Sequence, residues 1–262
     1  MNTSYETINA FEKDDIFYLE VNRAEKLNPL NGTVLSELLQ ATNSIDVSKY
    51  RGVILTGAGD QSFIAGADIE AMSDMTADES TAFAELGHAV TLALEELPLP
   101  TIACVHGFAL GGGCEMAMSC DFIFASKQAI FGQPEVRVGV IPAFGGTQRL
   151  TKYIGLNRAK ELIYSGNHID VETAYQWGLV NRILDDKASC LQAAVDYLHA
   201  LKKCSPLAIA RCKEVMNAGY HLSNRDGLKI EATVFGDISV SNDRKEGTRA
   251  FVEKRKPEFQ GN

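Results

Sequence analysis

The chain reads as an α/β protein with a helical C-terminal end, and three observations carry that expectation. Short β-branched or aromatic runs alternate with helical patterns up to about residue 146. Two strand-bearing stretches, GVILTGAGDQSFIAGAD (52–68) and TIACVHGFALGGGCE (101–115), echo one another as strand, glycine turn, second short apolar run, small residues and carboxylate. Beyond residue 146 strand signals nearly vanish, and the last part of the chain reads entirely as helix.

Each element has a local reason. IFYLEV (16–21), GVILTG (52–57), TIACVH (101–106) and DFIFAS (121–126) are strand-like runs that stop at turn residues. TVLSELLQATNSI (33–45) and ADESTAFAELGHAVTLALEEL (77–97) have helical periodicity, the second stopped by Pro98 and Pro100. LVNRIL (179–184) is the one strand expected after residue 146. Around it lie the helical segments TQRLTKYI, LNRAKELIY, VETAYQWG, KASCLQAAVDYLHALKK and PLAIARCKEVMNAG. KKCSP (202–206) marks the expected boundary between a core, 1–203, and a helical region, 204–262, which docks on the same body or on a neighbouring subunit.

Composition narrows the function. The 262 residues are 45% hydrophobic, enough for a sizeable core, and the longest apolar stretches are too short to cross a membrane. The start, MNTSYETINAFEKDD, lacks a signal-peptide core, so a soluble, cytoplasmic protein with no membrane partner is expected. A net charge of -9 argues against non-specific nucleic-acid binding. The cysteines form no CxxC pair and the histidines no zinc spacing, which points to buried thiols and no metal site.

The glycine-rich stretches decide the chemistry. TGAGDQS carries Gly57-x-Gly59 but has Ser62 at the third fingerprint position, which weakens a dinucleotide reading. Gly107 to Gly112 begins like a P-loop, yet Gly113-Cys114 replaces the Lys and Ser/Thr that hold phosphate and magnesium, and no GxSxG elbow occurs. What remains is an oxyanion hole: a peptide N–H at Gly112, near a helix start, with a second donor at Ala65-Gly66-Ala67-Asp68. Taken alone, Glu115 complements a helix dipole and Glu135, after Pro134, is a solvated loop carboxylate. As two carboxylates beside apolar, glycine-rich sequence they can instead divide into one acid and one base near neutral pH.

AGADI (65–69), HGFALGGGCEMAMSCDFIFA (106–125) and FGQPEVRVGVIPAFGGTQRL (131–150) resemble the crotonase superfamily, most of all the enoyl-CoA hydratases. The likeness runs from NRAEKLNPLN (22–31) to AFVEKRK (250–256). It implies a spiral of repeated ββα units and a helical C-terminal region that builds trimers or dimers of trimers. It also implies a reversible, syn-type addition of water to a 2-trans-enoyl-CoA, with no cofactor beyond the coenzyme A of the substrate. By that likeness Ala67 and Gly112 hold the thioester oxygen, Glu115 activates water for attack at Cβ, and Glu135 delivers a proton to Cα. Ala65, Asp68 and Ile69 border the coenzyme, while Phe251 and Lys254 meet its adenine and phosphate end across a subunit contact.

Glu70 and Gln61 stand where related hydratases carry basic residues, so phosphate contacts are fewer or redistributed. Phe144 stands where small residues are common, and either narrows the acyl pocket or packs in the core. The same scaffold hosts other reactions. An enoyl-CoA isomerase or a hydratase for a branched acyl group is therefore the alternative within the family, and a non-catalytic acyl-CoA-binding scaffold the alternative outside it.

Overall fold

The computed structural model describes residues 5–262; residues 1–4, the first part of the polar start discussed above, lie outside them. A hairpin comes first. Strands β1 (Ile8–Lys13) and β2 (Ile16–Val21) pair antiparallel across Asp14 and Asp15, whose φ values of 54° and 60° suit a two-residue turn that matches strand twist. Strand β1 is absent from the sequence reading because most of its side chains are exposed, as befits an edge strand, and leave little apolar signal. Helix α1 (Gly32–Asn43) follows, its first turn capped by the Asn31 side chain, which accepts from Val34 N.

From there the chain winds as a spiral, leaving one strand in each of two sheets per turn. The first turn gives β3 (Val53–Gly57) and β4 (Ser62–Ile64), then the short α2 (Ile69–Met72) and the long α3 (Ala77–Glu96). The second gives β5 (Thr101–Val105), β6 (Phe108–Leu110) and α4 (Gly112–Met118). The third gives β7 (Phe122–Ser126), β8 (Ile130–Gly132), α5 (Gly146–Ile154) and α6 (Leu156–Ser165). Strand β9 (His168–Asp170), α7 (Val171–Trp177), β10 (Arg182–Leu184) and α8 (Lys187–Ala200) complete the core. The larger sheet has the order β1-β2-β3-β5-β7-β10, parallel from β2 onward; the smaller runs β4-β6-β8-β9, with β9 antiparallel. The echo between 52–68 and 101–115 is thus the β3-β4 and β5-β6 repeat. Strand β9 corrects the expectation of a single strand after residue 146; its three residues are too few to show a period.

Strands β3 and β5 are buried on both faces, so their residues alternate between two cores. Val53 and Leu55 face the space enclosed with the smaller sheet, beside Phe63 and Phe131. Ile54 and Ile102 face α8, against Ala194 and Leu198.

The chain end is different. Helices α9 (Pro206–Gly219) and α10 (Asn224–Ile238) bury no residue, and α11 (Asn242–Glu253) buries only Asp243 and Ala250. Helix α9 starts with Ser205 as its cap and Pro206 in its first turn. It reaches the core through polar contacts: Lys213 Nζ donates to Leu94 O, Leu99 O and Asp121 Oδ2, at 3.3, 3.1 and 3.0 Å. No helix among the described residues is long and apolar enough to cross a membrane.

Candidate active site

Helix α4 is the centre of the site, and its seven residues are all buried. Strand β6 delivers the chain to Gly111, whose φ of 50° turns it into the helix. That turn also sets a distance, because a Cβ on Gly111 would lie 3.0 Å from Glu135 Oε1. Two residues on, a Cβ on Gly113 would lie 2.0 Å from Ile64 O, so only glycine lets α4 rest on the end of β4. The glycine triplet therefore presses the second spiral turn onto the first.

The segment after β4 is pinned just as closely. Leu30 N donates to Gly66 O (2.8 Å) and Asp68 N to Leu30 O (2.7 Å), a parallel bridge that turns the intervening Ala67 N–H to the opposite side. Neither Ala67 N nor Gly112 N makes a hydrogen bond among the described residues. Arg23 fastens this loop from outside: its guanidinium pairs with Asp68 Oδ2 at 3.0 Å and donates to Pro29 O at 2.8 Å. The buried Asn28 amide donates to Ala58 O and Ser62 O, both at 2.9 Å. Sequence reasoning passed over Arg23 and Asn28 as partners of the site, although both lie in the quoted NRAEKLNPLN.

Ala65, Ala67, Ile69, Gly112, Glu115 and Glu135 line one cavity of about 360 Å³. Its inner surface is Phe83, Phe144, Gly112 and Glu115, all buried; its rim is Ile69, Arg137, Val138 and Ile141, all exposed. Three of the sequence-predicted residues are not in that lining. Asp68 is held by Arg23 and caps α2, Phe251 is 85% exposed on α11, and Lys254 ends that helix with φ 55°.

The carboxylates differ in their holders. Glu115, 1% exposed, accepts N–H bonds from Phe144 (2.8 Å) and Gly146 (2.5 Å) on one oxygen, Oε1. Burial pushes its pKa up to about 7 against the lowering effect of those two bonds and of Arg149. Arg149 braces the same loop, donating to Phe144 O at 3.1 Å and pairing with Glu95. Glu135 opens the 3-10 turn Glu135–Val138 and is half-buried. Burial pushes it up to about 7 as well, opposed by its own backbone N–H and helped by the negative charge of Glu115. The buried Gln133 side-chain amide lies against Glu135, 2.8 Å from Oε1 and 3.2 Å from Oε2, and donates there when its nitrogen faces the carboxylate. That partner lay within the quoted FGQPE, but two-residue spacing alone does not reveal it.

Two carboxyl groups raised toward neutrality can divide into one acid and one base, in a cavity whose lining also includes the unbonded N–H groups of Ala67 and Gly112. Among the described residues no group of three or more His, Cys, Asp or Glu is arranged to hold a metal ion.

Comparison with known proteins gives one consistent result. Residues 12–262 match the model of the family described as enoyl-CoA hydratase/isomerase. The chain is 42% identical over 239 residues to the short-chain-enoyl-CoA hydratase of Clostridium acetobutylicum, covering 91% of each. It is 40% identical over 257 residues to the crotonyl-CoA hydratase of Syntrophomonas wolfei, covering 98% of each. Among solved structures, enoyl-CoA hydratase from Bacillus anthracis superposes with a TM-score of 0.91 at 33% identity, over 98% of this chain and 100% of that one.

Proposed function

This chain belongs to the enoyl-CoA hydratase/isomerase family, and from that premise we propose how its cavity carries out the family's hydro-lyase reaction, reversible hydration of a 2-trans-enoyl-CoA to a 3-hydroxyacyl-CoA. Adding water to a conjugated thioester builds negative charge on the carbonyl oxygen, removes one proton from water and returns one to carbon. Ala67 N–H and Gly112 N–H receive the oxygen; each such donor is typically worth about a hundred- to a thousandfold in rate. Glu115, ionised, takes the proton from water as it attacks Cβ, and Glu135, protonated, gives its proton to Cα. Gln133 holds Glu135 in line. Coenzyme A arrives as part of the substrate, passing Ala65 and Ile69 at the rim, with Asp68 fixing that rim through Arg23.

The observation that carries this reading is the convergence of two carboxyl groups, each raised to about 7, with two unbonded main-chain donors in one cavity. The test follows loss of the absorbance of a conjugated 2-enoyl thioester. Glu135→Gln is expected to lower kcat by about a hundredfold or more, the usual contribution of a positioned acid. Turnover within about tenfold of wild type would refute its role, binding without turnover by the wild-type protein would mark a scaffold, and a 3-enoyl product without water uptake an isomerase.

Residues 204–262 are proposed as the region through which copies of the chain associate as trimers or dimers of trimers. The support is the apolar surface of Met216, Leu228 and Phe235, exposed on helices that bury nothing within one chain, and of Val240, exposed in the turn that follows them. In such an assembly Phe251 and Lys254 would serve the coenzyme end of a neighbour's cavity.

A further inference from the structure

We propose that Phe144, wedged into a notch at Gly87, is the wall that limits the length of the acyl chain, an inference that rests on the hydratase reading above. Phe144 contributes its N–H to Glu115, and its side chain, 2% exposed, lines the cavity. Three neighbours fix the ring. A Cβ on Gly87 would lie 2.0 Å from Phe144 Cδ1, so the ring occupies the space that any larger residue on that face of α3 would need. Phe83, one helical turn earlier, meets it edge-on with centroids 5.2 Å apart at 66°. A Cβ on Gly112 would lie 3.0 Å from Cδ2 and Cε2, so the far edge of the ring rests against the glycine whose N–H receives the thioester oxygen.

This geometry fixes the direction of the limit. A substrate tethered at Gly112 begins its acyl chain beside the Phe144 ring, and carbons beyond Cβ that run inward meet Phe144 and Phe83. Helices α3 and α4 hold two edges of the ring, so it can be displaced only toward the cavity. Only short acyl groups fit inside; longer ones must turn back toward the exposed rim of Val138 and Ile141.

The experiment measures kcat/KM for crotonyl-CoA and for 2-octenoyl-CoA and compares their ratio, in which the fraction of folded enzyme cancels. Phe144→Ala keeps the backbone N–H and removes the wall. The octenoyl-to-crotonyl ratio is expected to rise by about tenfold or more, the discrimination that a methylene-sized change in an apolar pocket gives. A smaller rise overturns the proposal. Gly87→Ala acts in the opposite sense by driving the ring into the cavity, and its ratio is expected to fall about threefold or more; an unchanged or raised ratio overturns the proposal. A wild-type protein that hydrates neither thioester defeats the hydratase reading instead.

Discussion

Replacing Glu115 with Gln removes a buried charge while leaving an oxygen to accept from Phe144 and Gly146. Burial pushes the carboxyl up to about 7 in the folded chain, against 4.5 for the free side chain. Between those values the folded state binds more protons than the unfolded one, so native stability falls as pH rises through that window. The full shift corresponds to about 3 kcal/mol at pH 8, whereas at pH 5 less than about 1 kcal/mol has been lost. Glu115→Gln is therefore expected to be the more stable protein at pH 8 by about 3 kcal/mol, and nearly matched at pH 5, while losing hydratase activity at both. Urea unfolding of both proteins at the two pH values measures the difference directly. A variant no more stable than wild type at pH 8, or a gain that does not depend on pH, would show that the carboxylate is not held against its burial and would remove the basis for its acting as a base near neutrality.

Two further outcomes concern the frame around the site. Gly113→Ala must push α4 away from Ile64 O and is expected to cost about 3 kcal/mol or to prevent folding; Gly32→Ala, with nothing within 4 Å of the new methyl, should stay within about 1 kcal/mol of wild type, as urea unfolding of both variants checks. His106 is 2% exposed with both ring nitrogens unpartnered, and burial, then the Lys187 charge, push its pKa down to about 4. The unfolded state then binds the extra proton between pH 6.5 and 4, so stability drops by about 3 kcal/mol as pH falls through that range, and His106→Leu should flatten the pH dependence; an unaltered acid limb in urea titrations would count against it.

The sequence displayed the groups whose identity is their chemistry. Glu115 and Glu135 stood beside glycine and apolar residues, and the repeat of strand, turn and small residues announced two similar loops. It hid the groups whose identity depends on a distant partner. Arg23 meets Asp68 across 45 positions, and Gln133 is meaningful only once Glu135 has folded back over Gly111. The glycine triplet points in sequence to an exposed N–H at Gly112; only the fold shows that Gly113 admits Ile64 O and that Gly111 makes a turn that clears Glu135. Phe144 resolves differently from either alternative taken alone, since it packs between α3 and α4 and also lines the cavity. Strands β1 and β9 stayed hidden because one is mostly exposed at the sheet edge and buries only Ile8, and the other is too short for periodicity.

The loops that hold Ala67 and Gly112 leave adjacent parallel strands, β4 and β6. Hydrogen-bonded strands keep a separation of about 4.8 Å whatever their side chains, so the spacing of the two amides is inherited from the sheet as a fixed ruler. What lies between the Ala67 loop and β5, the whole of α3 included, can lengthen, shorten or change its lining without recalibrating the proposed grip on the carbonyl. A lineage built on this plan can thus diversify the acyl groups it accepts through its helices while the measuring device stays the same.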